Sequence, residues 1–211
     1  VNTVIVGATG GIGSACARTL PGPFVLAARD ARALRELASV VGGIAMPTDT
    51  TRELEVQALA SEAAARGGTR LLIYAAGTIA PASLTASAAA DLERVWAVNY
   101  LGAHLSIKHL APTLTPDARV FLLGARPELV EFRNFSGYAS SKAALGSLAR
   151  IAAQELKRPV TLVLPGPVAT RFWERLGQPP RNAINPQVVA DAIKTSLETG
   201  QGVAFEELRV G

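Results

Sequence analysis

The chain has 211 residues, 49% of them hydrophobic and 18% charged, a balance that suits an ordered globule with a sizeable core and excludes an extended disordered chain. Its net charge of +4 is scattered, without the clustered Lys/Arg and interleaved aromatics of a nucleic-acid surface, and no apolar run is long enough to span a bilayer. One cysteine, Cys16, cannot close an internal disulfide; it falls among small apolar residues, so a core position and a reducing, cytoplasmic setting are expected.

In chain order, β-branched runs alternate with stretches of helical period. Strands are predicted at 3–6, 24–28, 43–46, 71–75, 119–123 and 161–164, with a weaker one at 202–205. Helices are predicted at 11–20, 30–40, 52–66, 88–113, 138–157 and 186–198. The first strand lacks a basic flank and runs straight into a glycine turn, which separates it from a signal peptide. Strand and helix alternating at this spacing predict right-handed βαβ units. The expected architecture is a single-domain Rossmann fold over 1–211, a doubly wound parallel sheet with helices on both faces. Ligands of such sheets sit beyond the carboxyl ends of the strands, so the residues after each strand carry the functional signal.

After the first strand comes Gly7-Ala8-Thr9-Gly10-Gly11-Ile12-Gly13, leading into a helix. Absent side chains let backbone N–H groups and a helix N-terminus meet a pyrophosphate, although a tight turn alone would also use glycine. The second strand ends in Ala28-Arg29-Asp30. An arginine there can pair with the extra phosphate of NADP, a carboxylate with the ribose hydroxyls of NAD, and Asp30 also suits the N-cap of the next helix. Asp49 follows the third strand, where it equally fits an ordinary turn, and Tyr74-Ala75-Ala76-Gly77 ends the fourth. On the helix at 88–113, Leu92, Val95, Trp96, Asn99 and Ala103 share a stripe; a buried Asn99 amide there needs a partner. Gly124-Ala125-Arg126 follows the fifth strand, with Arg126 either a surface residue or a contact for an anionic substrate group. Tyr138 and Lys142, four apart on a helix, share a face, and a fixed cation would stabilise the phenolate of a tyrosine acting as acid and base. Pro165-Gly166-Pro167-Val168-Ala169-Thr170 follows the sixth strand and leads into a lid-like stretch that mixes Phe172 and Trp173 with proline and glycine. His104 and His109 do not converge on one point, so no metal site is expected.

This ordered set of motifs resembles the short-chain dehydrogenase/reductase family over nearly the whole chain, from Gly7 to Thr170. The resemblance implies that Gly7, Gly11, Ile12 and Gly13 line a pyrophosphate and that Asp49 lies near the adenine. It gives Ala76 and Gly77 to the same cofactor, and Pro165, Gly166, Val168 and Thr170 to its nicotinamide end. Ala28 and Arg29 match NADP-dependent members, so NADP(H) is favoured over NAD(H). Tyr138, Lys142 and Asn99 would be catalytic, Tyr138 and Lys142 also touching the cofactor, where the lysine holds a ribose, and Asn99 by holding a water that relays protons to the lysine. The implied activity is an oxidoreductase interconverting a small-molecule carbonyl and its alcohol, assembled as a homodimer or homotetramer through the helices at 88–113 and 138–157. One position departs from the pattern. The family's catalytic serine falls at Ala125, with Ser136 the nearest hydroxyl. That departure keeps open an alternative, a catalytically weak or inactive dinucleotide-binding regulatory protein.

Overall fold

The β-branched runs pair into a seven-stranded sheet in the computed structural model, which describes residues 1–200 and 203–211. The strands are β1 (Asn2–Val6), β2 (Phe24–Ala28), β3 (Gly43–Pro47), β4 (Thr69–Tyr74), β5 (Leu114–Leu123), β6 (Val160–Pro165) and β7 (Phe205–Val210). Every pairing is parallel, in the order β3-β2-β1-β4-β5-β6-β7. Of the strand expected at 202–205, Gly202 lies outside the described residues, and β7 begins only at Phe205.

Alternate strand residues serve opposite faces, as a period of two requires. Val4, Val6, Leu72, Tyr74, Val120 and Leu122 pack with Leu59, Ala103 and Leu145, from α3 (Glu53–Ala65), α5 (Gly102–Leu110) and α7 (Ser136–Leu156). Ile5, Ile73 and Phe121 pack with Cys16, Leu34 and Ile193, from α1 (Gly11–Thr19), α2 (Ala31–Val41) and α8 (Pro186–Thr199). Each fully buried aliphatic side chain contributes about 1.5–3 kcal/mol relative to exposure. Cys16 is fully buried and burial pushes its thiol up to about 12, which fits core packing and not redox chemistry.

Three expectations need correction. The helix at 88–113 is not continuous: α4 (Ala89–Trp96) passes through a π turn at Ala97–Leu101 into α5, and a 3₁₀ turn at Ala111–Thr113 closes it. The widened turn shifts the helical phase, so Asn99 is fully buried while Trp96 stays 38% exposed instead of joining the inner stripe. β5 starts at Leu114, five residues early, because its pairing with β4 slips between Thr69 and Leu71 and the slip absorbs Pro116. A four-residue helix, α6 (Pro127–Val130), occupies what was read as loop.

The chain lays β2 and β3 on one side of β1 and places β4 on the other. The winding direction reverses between β1 and β4, so the crevice that such a reversal opens lies above their carboxyl ends.

Candidate functional site

Gly7 leaves β1 at that reversal with φ +84°, and a Cβ there would collide with the Ala76 backbone of the turn after β4. A Cβ on Gly13 would overlap the Gly7 carbonyl oxygen, so Gly13 lets α1 seat directly on the turn. α1 is capped by Gly10 with no side-chain hydrogen bond and carries no acidic residue in its first turn. Its first amides therefore keep no partner within the helix, and the positive end of the helix dipole is left uncompensated.

Two clefts meet at this point. The larger, about 790 Å³, is lined by Gly10, Gly11 and Ile12, by Pro165, Gly166, Val168 and Thr170, and by Tyr138 and Lys142. The smaller, about 550 Å³, is lined by Gly7, Arg29, Asp49, Ala76 and Gly77. Thr9, Gly10, Ala75 and Gly77 line both, which makes the two continuous. A long ligand with a central diphosphate fits this shape, its charge over the bare amides of α1 and its two ends in separate clefts. Of the glycine-turn residues, Gly13 lines neither cleft and acts through packing, whereas Thr9 and Gly10, which carry no assigned role in the sequence reading, stand at the junction.

Around the smaller cleft the charged residues have distinct duties. Asp30 caps α2, accepting from the amides of Arg32 at 3.1 Å and Ala33 at 3.0 Å. Arg29, next to it, is exposed on the rim. Asp49 accepts from the Thr51 amide at 3.0 Å and the Thr51 hydroxyl at 2.8 Å, so it is a turn residue as well as a lining one. Burial raises its pKa, but the Thr51 hydrogen bonds together with the Arg29 and Arg52 charges outweigh this and hold it below the usual carboxylate range.

In the larger cleft the helical spacing brings Tyr138 and Lys142 together, with the lysine Nζ 5.9 Å from the phenol ring centroid. The ammonium donates to the Leu123 carbonyl at the end of β5, at 2.6 Å. Burial lowers Lys142 from the ordinary 10.5 to about 8 and pushes the Tyr138 phenol above its usual 10. The folded chain thus releases the Lys142 proton before the unfolded chain does, and on this account stability increases as pH climbs from about 8 toward 10.5. The rise is at most about 3 kcal/mol. Urea unfolding at several pH values should show it in the parent and not in Lys142→Met; an identical slope in both would contradict the assignment.

Asn99 is held from three directions. Its Oδ1 accepts from the Thr78 amide at 2.8 Å, and its Nδ2 donates to the Thr78 carbonyl at 3.0 Å and the Ser141 hydroxyl at 2.9 Å. Both amide hydrogens are engaged, and the side chain is a clamp between the loop after β4 and α7. Ser141 passes the tie on by donating to the Tyr138 carbonyl at 2.8 Å. On the family resemblance Tyr74 and Ala75 stand where a pair of asparagines is expected, which implies a less braced turn, but Tyr74 supplies a polar tie of its own. Its buried hydroxyl donates to the Val98 carbonyl inside the π turn at 2.5 Å, and a Cβ on Gly102 would overlap that hydroxyl. Ser141 did not stand out in the sequence; the only hint was its place beside Lys142.

Two further candidates stand apart from the cleft. Arg126 donates to Glu128 at 3.0 Å and to the Gly211 carbonyl, and it is not among the lining residues. Ser136, two positions before Tyr138, faces another way round the helix; its carbonyl accepts from Ser140, and it too is absent from the lining. Gly124 and Ala125 do line the cleft beside Tyr138, with no side-chain donor between them. Thr170 caps the 3₁₀ turn Arg171–Leu176, accepting from the Phe172 amide at 3.3 Å, so the lid-like stretch begins as ordered structure. Among the described residues no three His, Cys, Asp or Glu side chains cluster to hold a metal, and no helix is long and apolar enough to cross a membrane.

Comparison with known proteins gives a consistent picture. The short chain dehydrogenase family model matches residues 2–180. An uncharacterized oxidoreductase of Staphylococcus aureus strain MRSA252 is 26% identical, covering 98% of this chain and 95% of its own. The crystal structure of a candidate short-chain oxidoreductase of Thermus thermophilus superposes with a TM-score of 0.86 at 37% identity, over 93% of this chain and 96% of that one. An alcohol dehydrogenase of the archaeon Thermococcus sibiricus, solved with 5-hydroxy-NADP, shares the fold with a TM-score of 0.88 at 23% identity, over 98% of this chain and 94% of that one.

Proposed function

Since the chain belongs to the short chain dehydrogenase family, we propose that this oxidoreductase interconverts a small-molecule carbonyl and its alcohol, with NADP(H) as redox partner. The observation that carries the reading is that Tyr138 and Lys142 line the same cleft as the bare N-terminus of α1 and the 165–170 segment. When bound, the nicotinamide would supply a hydride to a carbonyl carbon or accept one from an alcohol carbon. The chain's own residues handle the proton. Tyr138, protonated near neutrality with burial pushing its phenol further above the usual 10, is in the form that gives a proton to the carbonyl oxygen as it gains charge. Lys142 is charged below about pH 8 and close enough to the phenol to offset the cost of phenolate as the proton leaves. Asn99 positions both by fixing Ser141 to the loop that carries Thr78.

The preference for NADP(H) rests on Arg29. The adjoining carboxylate, Asp30, spends its Oδ1 on capping α2, while Arg29 stands exposed on the rim of the same cleft with a guanidinium suited to a phosphate. Arg29→Ala is expected to weaken NADPH binding about tenfold, one charge-assisted pair, with NADH binding nearly unchanged. Side-by-side fluorescence titrations check this; equal loss for both cofactors would remove Arg29 from phosphate recognition. Carbonyl-dependent oxidation of NADPH by the parent protein tests the activity itself.

The same reading places the protein in the reducing cytoplasm, in keeping with a single, inert cysteine. It also pairs two copies through α4–α5 and α7, whose outer faces expose Trp96, Leu101 and Ile151.

A further inference from the structure

The walls around Tyr138 are unusually rich in rings for a chain that is only 5% aromatic. Phe135 meets Tyr138 edge-on with centroids 6.3 Å apart, Phe172 lies 5.2 Å from it on the other strand connection, and Trp173 stands edge-on to Phe172 at 5.6 Å. Phe135, Phe172 and Trp173 all line the larger cleft, and α6 adds Leu129 and Val130. The Trp173 indole N–H is given to the Val168 carbonyl at 2.8 Å, so its one polar atom is already engaged.

Charge is scarce along the same wall. Among the described lining side chains the cations are Lys142 and Arg171. Lys142 is bonded to the Leu123 carbonyl, and the Arg171 side chain is 94% exposed, pointing its charge into solvent near Glu174. Arg126, which follows β5, is tied to Glu128 and Gly211 and does not line the cleft. A carboxylate or phosphate carried into this space would lose water and gain no fixed partner, whereas a flat apolar ring would meet ring edges and faces.

We propose that the substrate half of the cleft takes a neutral, aryl-bearing aldehyde or ketone, its ring against Phe135, Phe172 and Trp173 and its oxygen toward Tyr138. This rests on the oxidoreductase reading above and adds the substrate class to it.

Two probes of similar shape and different charge test it, para-tolualdehyde and para-carboxybenzaldehyde, in protein whose NADPH binding is measured in the same preparation. The neutral aldehyde is expected to show a kcat/KM at least about tenfold above the charged one. Phe172→Ala is expected to raise the KM for the neutral aldehyde about tenfold. Unreactive para-toluamide should quench tryptophan emission of the NADPH-loaded protein, with the quench lost in Trp173→Phe. Equal or better use of the charged aldehyde, or no quench by the amide in protein that binds NADPH, overturns the substrate class. Turnover of neither aldehyde, or failure to bind NADPH, overturns the reading beneath it.

Discussion

Tyr138→Phe is expected to lower kcat by about 10²–10⁴ while leaving NADPH affinity nearly intact. The substitution removes one oxygen and keeps the ring, so the contacts to Phe135 and Phe172 that hold the cleft wall survive. What is lost is the only phenol among the described residues lining the larger cleft, and with it the proton that must reach the carbonyl oxygen as hydride adds. Steady-state kinetics and a cofactor titration on the same variant separate the two effects. Unchanged kcat would mean that the proton comes from elsewhere, and the pairing of Tyr138 with Lys142 would be structural only.

The second large effect runs the other way. Ala125 follows β5 at the cleft beside Tyr138, and neither it nor Gly124 has a side chain able to donate to a substrate oxygen. Removing one such donor from enzymes that have it costs about 10²–10³ in rate. Ala125→Ser is therefore expected to raise kcat/KM by at least about tenfold, less than the full factor because the hydroxyl arrives without a shell evolved to orient it. Ser136 is not among the residues that line the cleft, so it does not take this place. The alternative, a dinucleotide-binding regulatory protein, predicts a different outcome: tight NADPH binding and no turnover in either the parent or Ala125→Ser.

How much of this was legible in the sequence follows from how local each signal is. Strands buried on both faces announce themselves as near-continuous apolar runs, and Leu71-Leu72-Ile73 indeed splits its side chains between the two cores. Asp30 before an amphipathic run reads directly as an N-cap, and the structure gives it that role. The Tyr138–Lys142 pair needs only a helical rise to come together. By contrast, the π turn at Ala97–Leu101 meets Tyr74 from more than twenty residues away, its hydroxyl donating to the Val98 carbonyl and Gly102 leaving it room. No window of local periodicity contains that contact, and an unbroken helical stripe puts Trp96 on the wrong face. The same holds for Asn99, whose partners Thr78 and Ser141 come from β4's loop and α7. α6 is a single turn opened by Pro127, too short to carry a period, yet it brings Leu129 and Val130 to the cleft.

The proposed function requires that α1's uncapped N-terminus and the glycine turn grip a diphosphate. Equilibrium titration of the purified protein with NADPH, followed by the change in nicotinamide fluorescence, measures that grip. Saturable binding of one NADPH per chain, abolished by Gly11→Asp at the cleft floor, is the predicted result. No binding of NADPH or NADH by the folded parent protein would contradict it.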